Sequence, residues 1–273
     1  MDHTLQANRA WYETAKGQLA AGEQERAMET LREALDADLL WRLGLLEDPA
    51  FDPIRRSRDF QKLSSEATRR VRRLKLKPAL LCVPPASGDR RPPLVLGLHG
   101  ANSSAAALAE DWRAASDAGY LLAAVQSSQP VTEHSFCWDD GEQTRRDVDS
   151  IAKRVTRDFP YDPDRAIVAG FSQGASIAAR LAVQQRPLPV RGFLLVAPTL
   201  GAFEPLERGR LRGLRGAVVL GGDDGWARNF PAHEEGWRKA GAELRVERFP
   251  GLGHTYPEGF AELLPELLGW TIG

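Results

Sequence analysis

From residue 78 onward the sequence alternates short apolar runs with amphipathic segments, and this alternation restricts the fold more than any other feature. PLVLGLHG at 93–100 is almost wholly apolar, as a strand covered on both faces must be. Further strands are expected near 120–126 and at RAIVAG (165–170), GFLLVAP (192–198), GAVVLGG (216–222) and ELRVERF (243–249). Between and after them, RRDVDSIAKRVTRDF (145–159), ASIAARLAVQQR (175–186), FPAHEEGWRKAGA (230–242) and FAELLPELLGW (260–270) read as helices. Pro265 should kink the last of these or split off its first turn. Such alternation builds a mostly parallel sheet with helices on both faces, an α/β fold. Reactive side chains then collect in loops at the carboxyl ends of the strands.

The chain has a different character before residue 77. RAWYETAKGQLAAGEQERAMETLREALDADLL (9–40) spaces its apolar residues by three and four, and Gly22 marks the turn of a helical hairpin. Trp11, Leu19, Ala27, Leu31 and Leu35 would line its inner faces. The run from Tyr12 through Gly22, Ala27 and Ala34 resembles one tetratricopeptide-type helix pair, and LLEDPAFDPIRRSRDFQKL (45–63) resembles the segment that trails such pairs in bacterial proteins. One pair is fewer than the roughly three repeats a free-standing solenoid needs, so the piece is expected to pack on the rest of the chain. It would serve as an appendage or partial lid, or else bind a protein partner or a second copy as a homodimer. RRVRRLKLK (69–77) reads as a solvated basic linker into an edge strand. The expected division is a helical N-terminal domain over 1–75 and a catalytic domain over 76–273.

Composition excludes several classes of partner. With 36 Lys and Arg against 37 Asp and Glu, the net charge of -1 exerts no general pull on nucleic acid or an anionic membrane. No run approaches the ~20 apolar residues of a spanning helix, and the polar start lacks a signal peptide's apolar stretch. A cytoplasmic protein is expected. Cys82 and Cys137 make neither a disulfide framework nor a zinc-ligand set.

The chemistry centres on IVAGFSQGASIAARL (167–181), in which Ser172 lies two residues from Gly170 and two from Gly174. A strand leads in and a helix leads out, the setting of a nucleophile elbow, where flanking residues must be small. A serine hydroxyl is a weak nucleophile and needs a general base. His254, in a glycine-rich loop past the strand at 243–249, can supply it. An acid must fix the imidazole, and GGDDGW after the strand at 216–222 offers Asp223 and Asp224. Asp224 is preferred because the turn from Gly221 leaves room to bring its carboxylate back over the sheet; Asp223 is the reserve. LGLHGANSS places Ala101, whose amide would join that of Gln173 in an oxyanion hole, with His99 structural and Asn102 bracing the loop or meeting the substrate.

HGAN at 99–102, GFSQG at 170–174, GGDD at 221–224 and PGLGH at 250–254 together resemble the α/β-hydrolase superfamily, closest to its carboxylesterase, phospholipase and dienelactone-hydrolase-like branch. The resemblance covers about 78–273 and implies Ser172 as nucleophile, Asp224 as acid and His254 as base, with no metal or cofactor. The doubled aspartate departs from the usual single one. Large-substrate lipases insert a helical cap after the strand that is here 192–198. TLGAFEPLERGRLRGLRG (199–216) is too short and charged for one, which favours small to medium esters. Trp138 in the polar loop 126–143, Phe171 and Trp226 are candidates for the substrate pocket. A thioesterase or a peptidase on the same triad is the alternative, and a protein-binding role for the N-terminal helices lies in another class.

Overall fold

The structure, a computed structural model, describes residues 3–37, 39, 43–86, 88–132, 134–185 and 187–273. It falls into two units, one formed by residues 1–77 with 127–145, the other by 78–126 with 146–273. The strand-helix alternation of the second unit yields one seven-stranded sheet. Its strands are β1 (Ala79–Val83), β2 (Pro93–Leu98), β3 (Leu121–Gln126), β4 (Asp162–Phe171), β5 (Gly192–Val196), β6 (Arg215–Gly221) and β7 (Glu243–Phe249). They lie in the order β1-β3-β2-β4-β5-β6-β7; β1 is antiparallel to β3 and every other pairing is parallel.

The chain crosses between strands through α5 (Ala105–Asp111), α6 (Arg113–Asp117), α7 (Gly141–Asp158), α8 (Gln173–Gln184) and α9 (Phe230–Lys239), and it ends in α10 (Phe260–Ile272). Because successive strand residues face opposite ways, the continuous apolar runs feed two cores. Val95, Leu122, Ile167, Leu194 and Val219 pack with Trp112 and with Phe260, Leu264 and Leu268 of α10. On the alternate positions, Phe193 of β5 meets Trp237 of α9 at 5.3 Å between ring centroids. Pro265 does not split α10, which is continuous through it.

The first unit has its own core. α1 (His3–Ala20) and α2 (Gln24–Asp36) form the expected hairpin, with Gly22 at φ 80 in the turn. A short helix, α3 (Asp52–Arg55), and then α4 (Arg58–Arg73) follow, and Ser57 caps α4 by accepting from the Phe60 amide at 3.1 Å. Trp11, Ala15, Leu31, Phe51, Ile54, Phe60 and Leu63 are buried in one cluster drawn from these helices. Residues 46–67 supply a third side to the hairpin. The basic stretch is corrected, because Arg69–Arg73 form the end of α4 rather than a linker. Residues 127–145 join this unit instead of the second, so the division is not a single cut near residue 76.

Candidate active site

Ser172 stands alone between the last residue of β4 and the first of α8, with φ 54 and ψ -120. This is a strained backbone for a residue with a side chain. Its amide donates to the Val196 carbonyl at the end of β5 at 2.9 Å, which holds the turn against the sheet. Asn102, Ser172 and Ala197 all have positive φ, and each follows the carboxyl end of a central strand. The two flanking glycines answer to a neighbouring strand. A Cβ on Gly174 would lie 2.2 Å from the Leu98 carbonyl oxygen, and one on Gly170 would lie 2.7 Å from it. The elbow is pressed against the end of β2, so small residues are required by β2 as well as by the turn.

Asp224, Ser172 and His254 converge from three separate loops. His254 Nε2 lies 2.7 Å from Ser172 Oγ, and His254 Nδ1 lies 2.8 Å from Asp224 Oδ2. A carboxylate only accepts, so Nδ1 carries a proton and Nε2 is left to accept from the serine hydroxyl. The second oxygen of Asp224 accepts from the Trp226 amide at 2.9 Å. The Asp224 side chain is 1% exposed and that of His254 is 29% exposed. Asp223 is exposed, and its amide is tied to the Leu252 carbonyl at 2.9 Å. Gly221 lets the acid turn and the histidine loop touch, since a Cβ there would stand 2.2 Å from the Leu252 oxygen.

Ala101 is half-buried past β2, and no hydrogen bond engages its amide among the described residues. The orientation of that amide is set by its own peptide group. His99 Nδ1 donates to the Gly100 carbonyl at 2.8 Å, and in a trans peptide the Ala101 N–H points the opposite way. His99 Nε2 then accepts from Gln126 Nε2 at 3.3 Å, while Gln126 Oε1 accepts from the Ala105 amide at 2.9 Å. Burial holds the His99 imidazole neutral, with its pKa lowered to about 4. Gln173 opens α8 directly after Ser172.

The other candidates are placed unevenly. Asn102 is exposed at φ 59. Phe171 stacks on Tyr256 at 4.5 Å and lies against His254 at 5.5 Å between ring centroids. Trp226 is 57% exposed beside the acid, which it touches through its amide. Trp138 is buried and belongs to the first unit. The sequence reading passed over Gln126 and Tyr256. A polar residue ending the apolar strand LLAAVQ, and an aromatic two places after His254, were the available signals. Among the described residues, no group of His, Cys, Asp and Glu is arranged to hold a metal, and no helix is long and apolar enough to cross a membrane.

Residues 77–191 match the model of the esterase PHB depolymerase family, a span that contains the elbow and ends before Asp224 and His254. A protein from Bacillus cereus ATCC 10987, described as uncharacterized, is similar with a TM-score of 0.58 and 23% identity, over 97% of this chain and 87% of that one. Esterase PE8 gives a TM-score of 0.61 and 18% identity, over 72% of this chain and 100% of its own. A carboxylesterase from Mesorhizobium loti gives 0.59 and 19%, over 71% and 99%. No curated protein sequence matches the chain. The fold of the second unit is that of the α/β-hydrolases, and the likeness is to esterases.

Proposed function

We propose that the chain is a serine hydrolase that cleaves small to medium carboxylic esters through an acyl-enzyme. The observation that carries this reading is the unbroken hydrogen-bonded line from Ser172 Oγ through His254 to Asp224. His254 Nε2 takes the serine proton as Oγ attacks the ester carbonyl, and Asp224 stabilises the imidazolium. The oxyanion of the tetrahedral intermediate meets the amides of Ala101 and Gln173. The intermediate collapses as His254 returns the proton to the departing alcohol. Water then attacks the acyl-serine with the same base, releasing the acid and restoring Ser172. Residues 197–214, all described, hold no helix between β5 and β6, which supports a substrate that needs no large cap in this unit. Trp226, exposed beside Asp224, and Asn102, past the oxyanion loop, are the side chains proposed to meet it.

A fluorophosphonate probe tests the reading. It should label the protein stoichiometrically, and Ser172→Ala should abolish both labelling and turnover of p-nitrophenyl acetate. Asp224→Asn should lower kcat by about 10⁴, as loss of a triad acid does, while Asp223→Asn stays within twofold. Folded protein that resists the probe would overturn the proposal, and faster turnover of aminoacyl anilides than of esters would redirect it to a peptidase.

A further inference from the structure

Glycine is frequent around His254. The loop PGLGHTYPEGF contains Gly251 and Gly259, both at φ 73, and Gly253 lies directly before the histidine. Such a loop has high conformational entropy when free. Yet its imidazole must be held to a fraction of an ångström to keep both bonds at 2.7 and 2.8 Å. The bond to Ser172 cannot be what orders the loop, since it must break and reform in every turnover.

Tyr256 supplies an anchor that the reaction does not disturb. Its hydroxyl accepts from the indole Nε1–H of Trp112 at 3.0 Å. An indole only donates, so the tyrosine keeps its own proton, and the Asp111 carboxylate adds an electrostatic interaction with that hydroxyl. Trp112 lies at the corner between α5 and α6, so the hydroxyl is tied to that corner. Trp112 is fully buried, its ring edge-on to Phe260 at 5.6 Å, and Phe260 lies against the Tyr256 ring at 4.8 Å. The tyrosine is therefore bound to the core at its polar end and along one side.

The other contact of the ring reaches the chemistry. Phe171, the residue before the nucleophile, stacks on Tyr256 at 4.5 Å with 27° between planes, and it lies against His254 at 5.5 Å. One ring thus fixes the loop of the base, two residues from His254, and the flank of the elbow, at the residue next to Ser172. We infer that Tyr256, held by Trp112 and Phe260, is a positioning residue that sets the register between Ser172 and His254. The inference rests on the serine-hydrolase reading given above.

The test uses the full chain with two readouts, steady-state hydrolysis of p-nitrophenyl acetate and the rate of phosphonylation by a fluorophosphonate. Tyr256→Phe keeps the stack and removes the hydrogen bond to Trp112. It should lower kcat and the phosphonylation rate together by about tenfold, with KM within twofold, because only alignment is lost. Tyr256→Leu, which also removes the stack, should lower both by about a hundredfold. Asp111→Ala lies at the surface and should give a smaller fall of the same kind without a change in Tm. Tyr161→Phe, whose hydroxyl bonds Thr156 at 3.3 Å at the far end of β4, should leave the rates unchanged. Wild-type kcat and phosphonylation in Tyr256→Phe overturn the inference while the hydrolase reading stands. If wild-type protein is not labelled at Ser172, the reading itself fails. If Tyr256→Phe does not fold, Trp112→Phe, which removes the donor to the hydroxyl, decides: unchanged kcat and phosphonylation would overturn the inference.

Discussion

At the residue scale the site depends on a few side chains that never touch the reacting atoms. The glycines at 170 and 174 were legible as small residues around an elbow. What they clear was not legible, because the end of β2 lies seventy residues away in sequence and meets them only in the fold. Asp224 was preferred over Asp223 only for the room its turn leaves. Both sit in the same turn, and only the tie between the Asp223 amide and Leu252 decides which carboxylate faces the histidine. Gln126 was missed because a single amide at a strand end has no distinctive sequence pattern. Its role gives a sharp expectation. Gln126→Leu removes the donor that fixes the His99 tautomer, so the Gly100 peptide is less firmly held and the Ala101 N–H loses its aim. Complete loss of one oxyanion donor costs about 3 kcal/mol of transition-state stabilisation. Partial misorientation should lower kcat by roughly ten- to a hundredfold with KM nearly constant. Steady-state kinetics on one short-chain ester would decide it, and an unchanged kcat would remove Gln126 from the oxyanion machinery.

At the element scale the strands were the most legible parts, because a strand covered on both faces is apolar throughout. β2 and β5 have no exposed position, and their sequences show it directly. The end of α4 was misread because Arg69, Arg70, Arg72 and Arg73 conceal its period. Phe60, Leu63 and Ala67 are buried at spacings of three and four, and the helix simply continues past its last apolar contact. Cations in a final turn are favoured by the helix dipole, and Arg70 also donates to the Leu35 carbonyl at 2.6 Å. The core under that helix depends on Phe51, which is fully buried and packs against Phe60 at 6.1 Å and Tyr12 at 6.0 Å between ring centroids. Phe51→Ala should destabilise the helical unit by about 3–5 kcal/mol, through lost burial and the cavity left behind. Urea titration of the full chain followed by far-ultraviolet circular dichroism should show helix lost at lower denaturant. A transition identical to wild type would mean that the aromatic cluster does not hold these helices together.

At the scale of the whole molecule, the change of period near residue 77 announced two units. The return of 127–145 to the first was hidden, because a polar loop carries no period that assigns it to either side. The second unit encloses His99, which is fully buried and uncharged in the loop after β2. That burial makes stability depend on pH in a definable window. The unfolded histidine takes a proton near pH 6.5, whereas the folded one resists until about pH 4. Between those values the unfolded chain binds more protons, so stability is complete above pH 6.5 and falls as the solution is acidified. A shift of this size corresponds to roughly 3 kcal/mol over the full window, with about 2 kcal/mol already lost by pH 5. Urea denaturation at pH 7.5 and pH 5.0, at one ionic strength, should show the difference. His99→Asn keeps a donor toward the Gly100 carbonyl and cannot titrate, so its stability should change much less between the two pH values. If the variant keeps the full wild-type dependence, the acid sensitivity lies elsewhere, and the buried imidazole is not the group that limits the unit at low pH.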